Sequence, residues 1–246
     1  MQQQQKQQML QNAKWHGSKK PKLLIFDVNE TLIDFESMHP LFERVFGDKK
    51  VMREWLGHLI MYSMTLTMSG IYKDYWAIGG GLFHMVGEIH EKDVKDEDIE
   101  LLKEAMKTMP AHKDAEDGLK KLKAAGYRLV TLTNSPPTPD RKTPLENAGL
   151  AKYFERQFNG ETALAYKPLP IVYHMVTDAF DLAPDECFMV ATHVWDTIGA
   201  QAAGLSAGLL TRSGNAPLYV KGIPQPNVIA KDLPGLADEM EKLWGK

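Results

Sequence analysis

Residues 23–32 read LLIFDVNETL, an apolar run of strand length that ends in Asp27 and continues into polar turn residues. In an open parallel sheet, ligands bind at the carboxyl ends of the strands. A carboxylate in that place can act as a nucleophile if its surroundings keep it ionised and exclude water. Two positions later stands Asn29, whose neutral side chain cannot serve as a general acid or base. This pair of residues narrows the chemistry more than any other part of the chain.

From Leu23 onward, short apolar runs alternate with amphipathic stretches, which is the pattern of a parallel sheet flanked by helices. We therefore predict an α/β protein with a doubly wound parallel sheet. The predicted strands are 22–26, 128–132, 187–191 and 206–210. Apolar residues at helical spacing predict helices that lie between the strands, over 114–125, 170–180 and 197–203.

Residues 36–110 do not follow this alternation, because they are rich in helical patterns and contain no convincing strand. The predicted helices of this block are 40–46, 50–69, 75–90 and 96–109. We interpret the block as a helical cap inserted into a core domain that is formed by 22–35 and 111–246. Residues 1–21 are rich in Gln and Lys, and we expect a disordered tail there.

Composition limits the classes of function. The 246 residues carry a net charge of −3 with both signs well mixed, which argues against a nucleic-acid or membrane-binding surface. The single cysteine, Cys187, excludes an internal disulfide. No apolar run is long enough to span a membrane, and the N-terminal residues lack the apolar segment of a secretory signal. We therefore expect a cytoplasmic protein with a small-molecule anionic substrate, bound by local positive groups.

Polar residues recur at the ends of the later strands. Thr133 and Asn134 follow the second predicted strand, Lys167 precedes a helix, and Trp195 and Asp196 follow the strand that contains Cys187. Each of these signals is weak alone, since strand-end Thr and Asn are common in turns. Their order along the chain, behind Asp27, is the stronger signal.

In this order the four segments resemble the motifs of the haloacid dehalogenase superfamily. Residues 166–168 (YKP), Tyr173 and residues 195–200 (WDTIGA) look like the type II L-2-haloacid dehalogenase branch, as does a helical cap soon after the first motif. The resemblance implies a Rossmann-like core. It also implies a carboxylate that displaces halide from C2 of a 2-haloalkanoate, followed by hydrolysis of the ester without a metal.

Mapped onto this chain, the resemblance gives Asp27 as the nucleophile and Thr31 as the residue that orients it. Lys167 keeps Asp27 ionised, and Asp196 helps to activate water or holds Lys167. His193 stands where the family usually has Asn, and Ala191 where it usually has Ser. His193 is either the general base for water, given an ordinary pKa near ~6.5, or a packing residue of the loop.

The resemblance also supplies substrate-binding residues. Thr133 and Asn134 contact the substrate's carboxylate and the leaving halide, Tyr173 joins the polar network, and Trp195 forms a wall of the pocket. The family also uses an arginine of the cap to hold the carboxylate and the halide. At the position of the cap arginine the chain has Leu56. Arg53, three residues earlier, can replace it from an adjacent helical face, and His58 is a weaker candidate.

These features predict a hydrolytic, metal-independent dehalogenase of short 2-haloalkanoic acids that acts through an aspartyl ester and needs no cofactor. One alternative is a phosphatase with Mg²⁺ bound by Asp27, the carbonyl of Asn29 and Asp196, although the acid that would protonate the leaving group is missing. Another is an altered relative with a non-halogenated substrate or a binding role. The resemblance and the apolar cap also favour a homodimer.

Overall fold

The computed structural model describes residues 19–137 and 142–245. Most of the predicted N-terminal tail therefore lies outside the described residues. Within them the chain forms a parallel sheet of six strands in the order β3-β2-β1-β4-β5-β6. The strands are β1 (Leu23–Phe26), β2 (Arg128–Thr133), β3 (Gln157–Asn159), β4 (Cys187–Ala191), β5 (Ser206–Leu210) and β6 (Val228–Ala230). Four of them were predicted, whereas the short β3 and β6 were not.

The central strand shows why the sheet forms. All four side chains of β1 are fully buried, and they alternate between two apolar clusters on opposite faces of the sheet. Leu24 and Phe26 face one cluster, while Leu23 and Ile25 face the other. Helices therefore cover both faces, as predicted for a doubly wound α/β fold.

Four α-helices stand between β1 and α5, the helix that precedes β2. They are α1 (His39–Phe46), α2 (Val51–Met68), α3 (Tyr75–Ile89) and α4 (Asp96–Thr108), preceded by a 3₁₀ turn over Phe35–Met38. Their bounds differ from the predicted ones by one residue. Tilted and edge-on rings of Phe42, Trp55 and Phe83 pack in their interior. We refer to this block as the cap.

The remaining helices belong to the core. They are α5 (Ala115–Ala124), the short α6 (Pro144–Asn147), α7 (Pro170–Ala179), α8 (Val194–Ala202) and α9 (Leu233–Trp244). The prediction placed the start of α8 at Thr197, which was wrong by three residues. The helix begins at Val194, directly after the His193 N-cap, so Asp196 lies in its first turn. Among the described residues, no helix is long and apolar enough to cross a membrane.

The strand order changes direction at β1. The chain runs outward to β2 and β3 on one side and returns to β4, β5 and β6 on the other. A crevice forms outside the carboxyl ends of two such neighbouring strands, β1 and β4. Asp27 follows β1 directly and His193 follows β4 by two residues, so the predicted nucleophile and the predicted base lie at this crevice.

Candidate active site

The loop after β1 is held by polar contacts to its backbone. The imidazole of His112 lies 2.8 Å from the carbonyl oxygen of Glu30, and the guanidinium of Arg212 donates to the carbonyl oxygen of Thr31 at 3.0 and 3.3 Å. Glu30 has φ +62°, in the left-handed region that favours glycine. This fixed loop presents the carboxylate of Asp27 to the crevice.

Two donors hold the carboxylate of Asp27. Lys167 Nζ donates to Oδ1 at 2.9 Å, and the hydroxyl of Thr31 donates to Oδ2 at 2.7 Å. The hydroxyl oxygen of Thr31 in turn accepts from the backbone N–H of Thr192 at 3.0 Å. Burial alone would raise the pKa of Asp27, but the charges of Lys167 and His193 lower it well below its ordinary 3.8. Asp27 is therefore ionised at neutral pH.

Behind Asp27 lies a network that we call the lysine network: Lys167, Asp196 and Tyr173, all with no exposed surface. Lys167 Nζ donates to Asp196 Oδ2 at 2.5 Å, and Tyr173 Oη donates to Asp196 Oδ1 at 2.6 Å. Gly199 permits this packing, because a Cβ there would lie 2.3 Å from Pro168 and 2.7 Å from Tyr173 Oη. Burial opposes the charge of Lys167, but the two carboxylates raise its pKa above the ordinary value.

On the other side of Asp27 lies a second network, the glutamate network: Glu30, His193 and Arg53. His193 Nε2 lies 2.6 Å from Glu30 Oε2, and Arg53 forms a short ion pair with Glu30 Oε1. His193 Nδ1 lies 3.7 Å from Asp27 Oδ2 and is buried without a hydrogen-bond partner among the described residues. Burial alone would lower the pKa of His193, but Asp27 and Glu30 raise it to about 9.

A small pocket opens in front of Asp27 and lies partly under the cap. It leaves about 20 Å³ for the centre of a water-sized molecule, which is room for about one water molecule. The pocket is lined by Asp27, Asn29, Glu30, Phe35, Leu56, Leu59, Ile60, Tyr75, Thr133, Asn134, Lys167, His193 and Trp195. One wall is therefore polar and the opposite wall, from the cap, is largely apolar.

Six of the predicted site residues line this pocket: Asp27, Thr133, Asn134, Lys167, His193 and Trp195. Asn134 Oδ1 accepts from the backbone N–H of Lys167 at 3.0 Å, which leaves the amide donors of Asn134 available to a ligand. The ring of Trp195 stacks on His193 with centroids 5.3 Å apart. Thr31, Asp196 and Tyr173 do not line the pocket; they bind Asp27, Lys167 and Asp196, respectively.

The predicted substitute for the family's cap arginine lies elsewhere. Arg53 lines a neighbouring polar pocket, where it contacts Glu30, Glu36 and the carbonyl oxygen of Ser213. It does not line the Asp27 pocket, although its partner Glu30 lines both pockets. Leu56 does line that pocket, whereas His58 does not; it lies 3.9 Å from Glu54 and packs against the ring of Tyr62.

Sequence reasoning missed Glu30. The side chain of Glu30 is 4% exposed and contacts both Arg53 and His193, although the sequence shows it only as one more polar residue of a turn. The available signal was a carboxylate three residues after the nucleophile in a loop that was predicted to carry the chemistry. Its partner could not be read from the sequence, because His193 is 163 residues away.

The donor set of the Asp27 pocket does not fit the magnesium site of the phosphatase alternative. Both oxygens of Asp196 are engaged, by Lys167 and Tyr173, and Lys167 also occupies one oxygen of Asp27. A cation would have to displace the ammonium group from between two carboxylates, although Mg²⁺ sites need free carboxylate oxygens. The side chain of Asn29 is also engaged, since it donates to Ser135 Oγ at 3.1 Å, and only the backbone carbonyl of this residue is named in the phosphatase alternative.

Comparison with known proteins agrees with this geometry. Residues 21–204 match the model of the haloacid dehalogenase-like hydrolases. The chain is 28% identical over 198 residues to the (S)-2-haloacid dehalogenase 4A of Burkholderia cepacia, which covers 79% of this chain and 85% of that protein. It is 25% identical over 215 residues to a phosphoglycolate phosphatase of Colwellia psychrerythraea, covering 79% and 86%.

Among solved structures, the L-2-haloacid dehalogenase of Xanthobacter autotrophicus with covalently bound chloropropionic acid superposes with a TM-score of 0.78. The match has 20% sequence identity and covers 89% of this chain and 97% of that one. This likeness supports the fold, and the family-model match spans most of the chain. The protein belongs to the haloacid dehalogenase-like hydrolases.

Proposed function

We propose that the protein is a hydrolytic dehalogenase of short 2-haloalkanoic acids that works through a covalent ester on Asp27 and needs no metal. The observation that carries this proposal is the state of Asp27: a buried carboxylate, kept ionised by Lys167 and oriented by Thr31, that faces a small pocket lying partly under the cap. A carboxylate with few water contacts and a fixed direction is a strong nucleophile. The dehalogenase relatives support the same reaction class.

In the first step, an oxygen of Asp27 attacks C2 of the substrate from the side opposite the halogen. The new C–O bond forms as the C–halogen bond breaks, and the halogen leaves as halide with the bonding electron pair. Halide needs no proton to leave, so the neutral Asn29 is no obstacle. In the second step, water attacks the carbonyl carbon of Asp27 and releases a 2-hydroxy acid. This route restores the Asp27 carboxylate with an oxygen from water.

The pocket suits a short anionic substrate. Its apolar wall, which includes Leu56, Leu59 and Ile60, faces the side on which the alkyl group of such a substrate would lie. Because the pocket leaves room for about one water molecule, this wall has to move apart to admit the substrate. The amide of Asn134 and the hydroxyl of Thr133 are the donors offered to the carboxylate and halide. The predicted homodimer and cytoplasmic location stay predictions.

The proposal is tested by halide release from L-2-chloropropionate and L-2-bromopropionate, measured with EDTA and again with Mg²⁺, beside p-nitrophenyl phosphate. We expect halide release that EDTA leaves unchanged. Asp27→Asn should lower it by roughly 10⁴-fold or more, since the nucleophile is lost. Asp117→Asn, at a carboxylate that is 80% exposed, is the matched control and should behave as wild type.

A single turnover in H₂¹⁸O examines the covalent step. Label should appear first in Asp27 and reach the hydroxy acid only in later turnovers, because water attacks the carbonyl of the enzyme. Label in the product of the first turnover would contradict the ester. Phosphate release that requires Mg²⁺ would replace the proposal with the phosphatase alternative.

A further inference from the structure

The cap wall of the Asp27 pocket contains one polar group that the proposed mechanism does not use. Tyr75, the first residue of α3, lines this pocket and is only 5% exposed. Among the described residues, its hydroxyl has no hydrogen-bond partner. Leaving a buried polar group unpaired costs free energy, so a free hydroxyl at the wall of a pocket indicates a role in binding a ligand.

The surroundings of Tyr75 fix its ring and keep its hydroxyl protonated. The ring lies against the ring of Tyr166, with centroids 5.4 Å apart, and Tyr166 directly precedes Lys167 in the core. Burial raises the pKa of Tyr75, and the charges of Asp27 and Glu30, which line the same pocket, raise it further. At neutral pH the hydroxyl therefore keeps its proton and can donate a hydrogen bond.

This wall of the pocket lacks the cation that the family places in the cap. Leu56 occupies the position of the cap arginine, and Arg53 lines the neighbouring pocket instead. Apart from Tyr75, the cap residues that line the Asp27 pocket have apolar side chains. In the described part of the chain, the hydroxyl of Tyr75 is therefore the only side-chain donor that the cap presents to this pocket.

The direction of the first step decides which part of the substrate faces the cap. The halogen leaves C2 on the side opposite the attacking oxygen of Asp27, which stands at the strand ends of the core. Thr133 and Asn134 stand at the end of the neighbouring strand β2, so they flank the nucleophile from the core. Trp195, whose Nε1 is also buried without a partner in the described residues, lies in the first turn of α8, again in the core. The leaving halide therefore meets the cap, where Tyr75 supplies the donor.

We propose that Tyr75 is the halide-binding residue of the cap: its hydroxyl donates a hydrogen bond to the halogen as the C–halogen bond breaks and holds the halide until it departs. This inference rests on the proposed dehalogenase function and adds a catalytic residue to it. A neutral donor in α3 thus takes the place of the family's cationic donor in α2.

The step needs no proton transfer. An oxygen of Asp27 forms the new bond to C2, and the electron pair of the C–halogen bond goes to the halogen. Negative charge thus moves from Asp27 to the halide, while the O–H bond of Tyr75 stays intact and points at the charge that develops. A donor that is fixed in advance toward developing charge stabilises the transition state more than the bound substrate, in which the halogen carries little charge.

The experiment compares Tyr75→Phe with Tyr62→Phe in the full-length protein. Each variant loses one hydroxyl from the cap, but Tyr62 is 37% exposed and does not line the pocket. The protein is mixed rapidly with L-2-chloropropionate or L-2-bromopropionate, and the samples are quenched. Released halide reports formation of the ester, and the intact mass of the protein reports the ester that remains.

Two further measurements separate binding of halide from binding of carboxylate and from folding. Turnover of L-2-chloropropionate is inhibited with added bromide and, separately, with added propionate, so that each inhibition constant reports the site of one anion. Urea unfolding of both variants reports any structural damage.

In Tyr75→Phe we expect release of chloride to slow by about 10²-fold, the usual effect of losing one donor to developing charge. Release of bromide should slow by about tenfold, since the charge of the larger ion lies farther from the donor. Inhibition by bromide should weaken by about tenfold, whereas inhibition by propionate should stay unchanged. Hydrolysis of the ester should keep its rate, because the halide has then left. The urea midpoint should match that of Tyr62→Phe, because the hydroxyl of Tyr75 binds no other group of the described residues.

Three results would overturn the inference. The first is halide release in Tyr75→Phe as fast as in Tyr62→Phe. The second is an equal loss for both substrates together with weaker inhibition by propionate, which would assign the hydroxyl to the substrate's carboxylate. The third is a loss of activity with a lower urea midpoint, which would indicate a structural role. Failure of the proposed function looks different, because the wild-type protein would then form neither halide nor ester, and the inference would fall with it.

Discussion

The two networks that flank Asp27 differ in completeness. In the lysine network, each oxygen of Asp196 has a donor, and the ammonium of Lys167 joins both carboxylates at 2.5 and 2.9 Å. In the glutamate network, one imidazole nitrogen is bound at 2.6 Å, and the other has no hydrogen-bond partner in the described parts of the chain. A saturated network holds a charge in place, whereas Nδ1 of His193 has a hydrogen-bonding position still available beside Asp27.

The networks also differ in their relation to the cap. The lysine network consists of core residues alone, from α7, α8 and the segment before α7. The glutamate network reaches from the loop after β1 to Arg53 in α2 of the cap. We therefore expect substitutions in the lysine network to abolish formation of the ester and to destabilise the fold. Substitutions in the glutamate network should instead slow hydrolysis of the ester.

The largest effect is expected from Lys167→Met. Removing the ammonium leaves two buried carboxylates without a counter-charge, and breaking a buried ion pair in this way costs about 3–5 kcal/mol of the free energy of unfolding. Halide release should be lost as well, because Asp27 is no longer held ionised. Urea unfolding followed by tryptophan fluorescence measures the stability. Lys152→Met, at a lysine that is 63% exposed, is the control.

The stability of that variant should depend less steeply on pH in the acid range than the stability of the wild-type protein. In the wild-type protein the pKa of Asp27 is lowered, so its ionised form stabilises the fold above the ordinary pKa of 3.8, and this contribution is lost as the pH falls below 3.8. Without Lys167 the strongest charge that lowers the pKa of Asp27 is absent, while burial and His193 act as before, so this pKa should rise from its wild-type value. The stability that Asp27 contributes above pH 3.8 should then be smaller, and less of it should be lost as the pH falls below 3.8. An unchanged slope would contradict the role given to Lys167.

Two substitutions, one in each network, test the same comparison and should have smaller effects than Lys167→Met. Tyr173→Phe removes the donor to Asp196, and Arg53→Gln removes the charge that holds Glu30. Losing one hydrogen bond to a charged group should slow a step by about tenfold. After rapid mixing with L-2-bromopropionate, we expect the first variant to slow bromide release, which reports formation of the ester. The second variant should slow hydrolysis of the ester, followed by the intact mass of the protein, and should preserve the rate of bromide release. If both variants slow the same step, the two networks do not divide the reaction as proposed.

Controls for this pair come from residues with similar side chains away from the pocket. Tyr62→Phe alters a tyrosine that is 37% exposed, and Arg44→Gln breaks a cap ion pair with Asp98. Both controls should keep the rates of both steps.

The smallest effect is expected from Leu56→Arg. Leu56 lines the pocket at the position where the family has its arginine, and it is 7% exposed. A guanidinium there can bind the substrate's carboxylate, so KM for L-2-bromopropionate should fall by about fivefold, with a smaller change in kcat. Leu101→Arg, at a cap residue that is 45% exposed, is the control. A folded Leu56→Arg variant with unchanged KM would contradict this alignment of the cap.

Most of the fold could be predicted from local sequence patterns. The strands β1, β2, β4 and β5 were predicted because each is a nearly continuous run of buried apolar residues. The strands β3 and β6 have three residues each and lie at the two edges of the sheet, so no local period identifies them. Their assignment depends on pairing with β2 and β5, which only the folded chain provides.

The sequence by itself predicted the α/β frame and placed Asp27 and Lys167 at the ends of strands or before a helix, because each of these depends on residue type or on a local period. Only the tertiary structure shows which contacts Arg53, Glu30 and His193 make with one another. Their contacts join positions that are 23 and 163 residues apart, and the direction of an imidazole depends on which of its nitrogens a distant carboxylate binds. No local pattern encodes such a contact, since it arises only when the cap and the strand ends meet.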